Sequence, residues 1–225
     1  MGSKDREGAA TSGSSLMGAI VAGVLIAVIP AALGYIASFI DGARKDELAF
    51  VNQQIEKLYG PLLALTQAND VTWRQFASTN WPNNSRYYFD PQQPPSEEQV
   101  TEWRLWMRTV FQPLNVHIES TIVNNSQLIV GNRIPRSFQE LIAQTEAYKA
   151  IIAGWSDHDK DNLETYRSRY KNTVTGLNYP DSIVECVSKT YDALKRRQTE
   201  LQSFPNFLGN FLWHSPLESD STCNK

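Results

Sequence analysis

The chain has 225 residues and a formal net charge of −3, from 21 basic and 24 acidic side chains. Because it carries no strongly basic stripe, nucleic acid is not expected as its main partner. The length suits one domain of ordinary size, which can bury a core without disulfide staples.

The first predicted element is a membrane-spanning helix from Leu16 to Ile40. This stretch is apolar and holds no charged side chain. As a helix it would extend about 37 Å, against a bilayer core of about 30 Å. It is too long for the apolar part of a cleaved signal peptide, so we expect an uncleaved anchor in a lipid bilayer. The predicted organisation is a flexible tail (1–15), the transmembrane helix (16–40), a helical-bundle domain (41–204) and a C-terminal tail (205–225).

Small residues recur at every fourth position of this span, at Ala19, Gly23, Ala27 and Ala31. Such a face lets helix backbones approach closely in lipid, so it is a candidate surface for homo-oligomerisation or for pairing with a protein partner. The alternative is that small residues are simply common in membrane helices.

Basic residues flanking the span predict its orientation. Lys4 and Arg6 alternate with acidic residues upstream, whereas Arg44 and Lys45 lie closer to the span downstream. Since Lys and Arg near a span favour the cytoplasmic side, the domain after the span is favoured there.

The two cysteines, Cys186 and Cys223, are too few for a disulfide framework. They could pair with each other. Two scattered thiols are more typical of a reducing compartment, so the prediction is that they stay reduced.

Four amphipathic helices are predicted after the span, from apolar residues that recur near every 3.6 positions. They cover residues 46–80, 96–129, 135–154 and 180–201. Gly60-Pro61 predicts an interruption of the first helix, and Pro113 predicts a kink in the second. Ser96 and Gln99 form a capping box where the second helix begins. No strand pattern appears, so the predicted fold class is all-α, an antiparallel bundle of about four helices.

Four short motifs in the domain are similar to those of a known family. They are Leu58-Tyr59-Gly60-Pro61-Leu62, Trp103-Arg104-Leu105-Trp106-Met107, Pro113-Leu114-Asn115 and Ala147-Tyr148-Lys149. On these motifs the chain resembles an uncharacterised family of small, mainly bacterial single-pass membrane proteins with a helical domain. The resemblance covers most of residues 46–204. It implies the same architecture and brings no known activity, so no functional residue is carried over.

Candidate metal ligands are few. The run Asp157–Asp161 places carboxylates at the first, third and fifth positions of a calcium loop, but Asn162 and Ser168 stand where that loop needs Gly and Glu. The three histidines lack metal-ligand spacing; they are His117, His158 and His214. No catalytic or nucleotide-binding motif is found, so we expect no cofactor and favour a protein that is not an enzyme.

Aromatic and arginine residues of the second predicted helix leave two interpretations open. Trp103, Trp106 and Met107 have the spacing of core residues, and the alternative is an aromatic ligand pocket. Arg104 and Arg108 share a neighbouring face. They either pair with nearby carboxylates such as Glu98 and Glu102, or join Arg74 or Arg136 in an anion site.

The sequence therefore predicts a membrane-anchored helical interaction or scaffold protein. The first alternative is a membrane-tethered sensor that binds a small ligand within the bundle, in a polar cavity near Trp103 and His117. The second is an anchored enzyme without a standard motif, which would need acidic or histidine side chains to converge in one cleft.

Overall fold

The computed structural model describes residues 34–81, 89, 93, 95–155, 179–203 and 223. The chain divides into two compact units, Met1–Glu47 and Leu48–Lys225. In the first unit, residues 34–47 are helical. Residues 16–33 of the predicted span lie outside the described residues. None of the helices in the described ranges is long and apolar enough to cross a bilayer.

The second unit contains four long helices within the described residues, and none of those residues is in a strand. α1 comprises residues 48–53, the π-helical turn Gln54–Tyr59 and Gly60–Asn80. α2 comprises Glu97–Trp106, the π-helical turn Met107–Phe111 and Gln112–Asn124. α3 is Arg136–Ala153 and α4 is Ile183–Gln202. The predicted all-helical fold with four helices is confirmed. α2 ends five residues earlier than expected and is followed by the 3₁₀ turn Ser126–Leu128.

α1 and α2 run antiparallel. At the start of α1, the Gln54 side chain donates to the carbonyl oxygen of Leu128 at 3.0 Å, and the Val130 N–H donates to the Tyr59 hydroxyl at 3.0 Å. Both partners follow the end of α2. Near the end of α1, Phe76 contacts Trp106 in the first half of α2, with ring centroids 5.4 Å apart.

α4 is also antiparallel to α1. The Gln198 amide, late in α4, donates to the Asn52 side chain at 2.7 Å, early in α1. The Asn69 side chain, late in α1, lies beside Tyr179, which precedes α4, and opposes the rise in pKa that burial gives this tyrosine. α3 packs on α2 and contacts α4, which completes the bundle.

The second unit buries the apolar stripes that periodicity predicts. The largest fully buried side chains come from all four helices, and they are Tyr59, Phe76, Phe138, Leu58, Leu62, Ile118, Ile122, Leu141, Ile183, Leu194 and Leu201. Each helix therefore faces the others with one apolar stripe, as expected of amphipathic helices in a bundle.

The two prolines widen their helices where an interruption and a kink were predicted. Proline has no N–H, and its ring clashes with the carbonyl four residues earlier. Just before Pro61, the Gly60 N–H donates to the Ile55 carbonyl, five residues back. Just before Pro113, the Gln112 N–H likewise donates to the carbonyl of Met107. These i→i−5 bonds form π-helical turns, so both helices continue past the proline.

Cys186 and Cys223 form a disulfide, with Cα atoms 4.7 Å apart. The expectation of two reduced thiols is therefore wrong for this structure. Sequence spacing could not show the pair, because 37 positions separate the two residues and only folding brings them together. Both residues are buried against the bundle.

Candidate functional site

The most distinctive part of the bundle is an aromatic cluster where the end of α1 meets the start of α2. Its buried centre is Phe76, Trp103, Met107 and Phe111, and its partly buried members are Trp81, Phe89, Trp106, Tyr148 and Trp155. The α2 members at positions 103, 107 and 111 repeat every fourth residue, so they fall on one face of that helix.

Rings surround Trp103 within the described part of the chain. Its centroid lies 4.9 Å from that of Phe89, 5.5 Å from that of Trp155 and 6.2 Å from that of Tyr148. Burial raises the pKa of Tyr148 to about 12. The core interpretation is confirmed for Trp103 and Met107, both buried.

The aromatic cluster reaches the surface at Trp73, which is 37% exposed. The Trp73 ring lies 5.6 Å from both Phe76 and Phe111 and 5.9 Å from Trp81. Leu105, on α2, is 54% exposed. An aromatic side chain that is anchored on one side and open on the other is the kind of residue enriched at protein interfaces.

Two arginines of α2 sit over the cluster. The guanidinium carbons of Arg104 and Arg108 lie 5.4 Å and 5.9 Å from the centroid of Trp155, within cation–π range. The Arg108 guanidinium also donates to the Trp155 carbonyl oxygen at 3.4 Å. Glu102, one of their predicted partners, accepts a hydrogen bond from the Trp106 indole at 2.7 Å.

The two other arginines considered for an anion site bind carboxylates of their own helices. Arg74 pairs with Asp70 in α1, and Arg136 pairs with Glu140 in α3. Arg136 begins α3 and Trp155 follows its end, about 27 Å away along the helix axis. The structure therefore does not gather Arg136 with the arginines over Trp155.

A charged triplet joins α2 to α3. The Lys149 ammonium lies 3.1 Å from the Glu119 carboxylate and 2.6 Å from that of Glu146. Burial, and then the neighbouring Glu146, raise the pKa of Glu119, while Lys149 lowers it. Lys149 and Glu119 lower the pKa of the exposed Glu146. The ion pair between Lys149 and Glu119 therefore links α3 to α2.

His117 does not contribute to a site with Trp103. Its side chain is exposed on α2, and fourteen positions separate the two residues, about 21 Å along the helix. Ile118 and Glu119, which follow His117, take the buried positions on this part of α2.

Buried amides between helices were missed from the sequence. The Asn69 amide donates to the Asn115 side chain at 3.0 Å, which links α1 to α2. The Gln112 amide donates to the carbonyl of Thr145 at 3.0 Å, which links α2 to α3. A signal existed, because Asn69 lies seven residues after Leu62 and seven before Phe76, inside the apolar stripe.

The remaining sequence-predicted sites fall on residues that the structure does not describe. They are the small-residue face Ala19, Gly23, Ala27 and Ala31 and the acidic run Asp157–Asp161. No protein family, no curated protein and no solved structure matches the chain. The resemblance to small single-pass membrane proteins therefore stays a prediction.

Proposed function

We propose that this protein is a membrane-anchored helical interaction or scaffold protein. Its N-terminal helix inserts in a lipid bilayer, and its four-helix bundle is held at the membrane surface. It acts by assembling with other membrane-embedded chains, in the first place with further copies of itself.

The observation that carries the proposal is the exposure of the apolar side chains in residues 34–40. Tyr35, Ile36 and Phe39 are 75%, 52% and 66% exposed on a helical segment. In water this exposure is unfavourable, at about 25 cal/mol for each Å² of apolar surface. The segment continues the uncharged run that starts at Leu16. Lipid is therefore the environment that suits it, with Tyr35 of the type that collects at membrane interfaces.

Two features support an interaction role. Trp73 leaves part of the aromatic cluster accessible on the bundle. Within the proposed span, Ala19, Gly23, Ala27 and Ala31 provide the small-residue face on which two helices can pack closely. Self-association through this face would place several bundles side by side.

Extraction of membranes with alkaline carbonate tests the anchor. The full-length protein should stay in the pellet. Replacing Leu25 and Val28 with Arg should release it, because each charge costs about 2.5–3.5 kcal/mol at the centre of an inserted helix. The matched control replaces the same two residues with Ala and should stay in the pellet. Full release of the unaltered protein would contradict the anchor.

Cross-linking in native membranes, followed by mass spectrometry, tests the interaction. We expect a homo-oligomer that Gly23→Leu combined with Ala27→Leu reduces several-fold, because large side chains separate the backbones. Val21→Leu, on the opposite face of the helix, is the control and should leave the oligomer unchanged. A protein that stays monomeric and retains no partner would refute the scaffold role.

A further inference from the structure

We infer that the four-helix bundle resides on the oxidising side of the membrane, where the Cys186–Cys223 disulfide forms and persists. The inference rests on the membrane anchoring proposed above and adds its orientation. The N-terminal residues before the span then lie on the cytoplasmic side. This orientation is opposite to the one that the flanking basic residues favour.

The disulfide is part of the packed interior. Cys186 lies in the first half of α4, and both cysteines are essentially inaccessible to solvent, at 0% and 1% exposure. The Thr190 hydroxyl donates to the carbonyl of Cys186 at 2.9 Å and lies 4.0 Å from the sulfur of Cys223. The cross-link therefore holds residue 223 against α4.

The chemistry of thiol–disulfide exchange connects the burial of this disulfide with the compartment in which the bundle lies. Disulfides persist in oxidising compartments, while cytosolic thiol systems keep cysteines reduced. A buried disulfide is protected once formed, because an attacking thiolate must reach one of its sulfur atoms. Such a bond is a permanent cross-link, and its formation requires a compartment that supplies an oxidant.

Formation of the disulfide transfers two electrons from the two cysteines to an oxidant. One cysteine thiolate attacks the disulfide of a thiol oxidase, or of oxidised glutathione, and releases one thiol of that oxidant. The second cysteine thiolate then attacks the mixed disulfide and releases the other thiol. The two cysteines give up two electrons and two protons, and the oxidant's disulfide is reduced to two thiols.

The basic residues that flank the span favour the opposite orientation only weakly. The nearest basic residues number two on each flank, Lys4 and Arg6 before the span and Arg44 and Lys45 after it. Arg44 and Lys45 both bind the carboxylate of Asp41, at 2.8 Å and 2.6 Å. The number of basic residues is the same on both flanks, so only their distance from the span favours the opposite orientation, whereas a buried disulfide favours the oxidising compartment.

The test uses the full-length chain with a C-terminal tag, produced in a bacterial host with an oxidising periplasm. Cells are quenched with acid to stop thiol exchange, denatured, and treated with a polyethylene-glycol maleimide before or after reduction. We expect no added maleimide before reduction and two after it. The Cys223→Ala variant should add one without reduction, and Cys186→Ala combined with Cys223→Ala should add none.

Sidedness is read on the same cells converted to spheroplasts. Protease added outside should remove the tag from intact spheroplasts. Two free thiols in the quenched cells, or a tag that is lost only after permeabilisation, would overturn the inference.

Carbonate extraction separates this inference from the proposed anchor. A reduced protein that stays in the membrane pellet would refute the orientation and keep the anchor. An oxidised protein recovered in the osmotic-shock fluid would keep the oxidising compartment and refute the anchor, and with it an orientation in the membrane.

Discussion

At the scale of single residues, several polar groups buried in this bundle form hydrogen bonds to a neighbouring helix or to the segment that follows it. Asn69 and Asn115 satisfy each other between α1 and α2. The Tyr59 hydroxyl accepts the backbone N–H of Val130, while burial raises the pKa of Tyr59 to about 12. An unsatisfied buried group costs about 1–3 kcal/mol, so these contacts select one arrangement of the helices.

Gly60 is required by its surroundings and not by its backbone angles, which are helical. A Cβ atom at this position would lie 2.6 Å from the carbonyl oxygen of Ile55. We expect Gly60→Ala to destabilise the protein by about 1–3 kcal/mol, as overpacking does, in denaturant unfolding of the full chain in detergent.

Gly42→Ala is the matched control for that change. Apart from its chain neighbours and the nearby backbone of its own helix, no atom lies within 4 Å of a Cβ built at Gly42, and the residue is also helical. Alanine there should be neutral or stabilising by up to about 1 kcal/mol, the usual helix preference. Equal effects at the two glycines would contradict the steric explanation.

Lys149 makes stability depend on pH through Glu119. Burial raises the pKa of Glu119, and Lys149 opposes the rise; Lys149→Met should therefore raise that pKa further. A carboxyl with a raised folded-state pKa adds stability below its unfolded pKa, about 4.3, and loses it as the pH climbs through the folded value. Glu146 loses its partner in the same variant, which also costs stability above its unfolded pKa.

The expected result is that Lys149→Met loses more stability at pH 7.5 than at pH 4.5, relative to the unaltered protein. Unfolding curves at both pH values measure it. Lys189→Met removes an exposed pair with Glu185 in α4 and should show little pH dependence. A loss of stability that is equal at both pH values would argue against a stabilising interaction of Lys149 with Glu119 and Glu146.

At the scale of the elements, local interactions determine where a helix begins, whereas contacts between residues far apart in the sequence determine how helices pack. Ser96 caps the start of α2: its hydroxyl accepts the N–H of Gln99 at 3.2 Å, and the Gln99 side chain accepts the N–H of Ser96 at 2.9 Å. This cap is local, and the sequence shows it directly. The packing of α1 on α2 depends instead on rings such as Phe76, which is fully buried.

Phe76→Ala should weaken the contact of α1 with α2. Phe76 lies against Trp73, Trp106 and Phe111, at centroid distances of 5.4–5.7 Å. Removing a fully buried Phe leaves a cavity and typically costs about 3–5 kcal/mol. Val71→Ala, exposed on the same helix, should stay within about 0.5 kcal/mol. Similar losses for the two variants would show that α1 is not held by the aromatic cluster.

At the scale of the whole molecule, the disulfide is a covalent constraint on α4. It closes a loop of 37 residues from α4 to residue 223. Cross-linking lowers the entropy of the unfolded chain, and for a loop of this length the chain-entropy model gives about 4 kcal/mol. Residue 223 is thereby part of the folded interior.

Loss of the cross-link should lower the free energy of unfolding by up to about 4 kcal/mol. Cys186→Ala, Cys223→Ala and the double variant should lose similar amounts, because either change alone removes the same bond. Unfolding with and without a reductant provides the control, since only the unaltered protein should respond to the reductant. Additive losses in the double variant would show that the two cysteines act separately.

The sequence by itself determined the helical fold. Apolar residues spaced at 3.6 positions and the capping box at Ser96 located the four helices of the bundle, with α2 ending five residues earlier than predicted. These signals are local, because helix hydrogen bonds and caps join residues three or four positions apart. It also predicted that Trp103 and Met107 are core residues.

Only the tertiary structure decided which distant residues meet. The Cys186–Cys223 bond, the Asn69–Asn115 pair and the Glu119–Lys149 contact join residues 37, 46 and 30 positions apart. No periodic pattern encodes such pairs, since they depend on how helices cross and on which faces meet. For the same reason the form of the proline interruptions was not foreseen: a π-helical turn or a true break depends on whether the surrounding helices hold the chain in line.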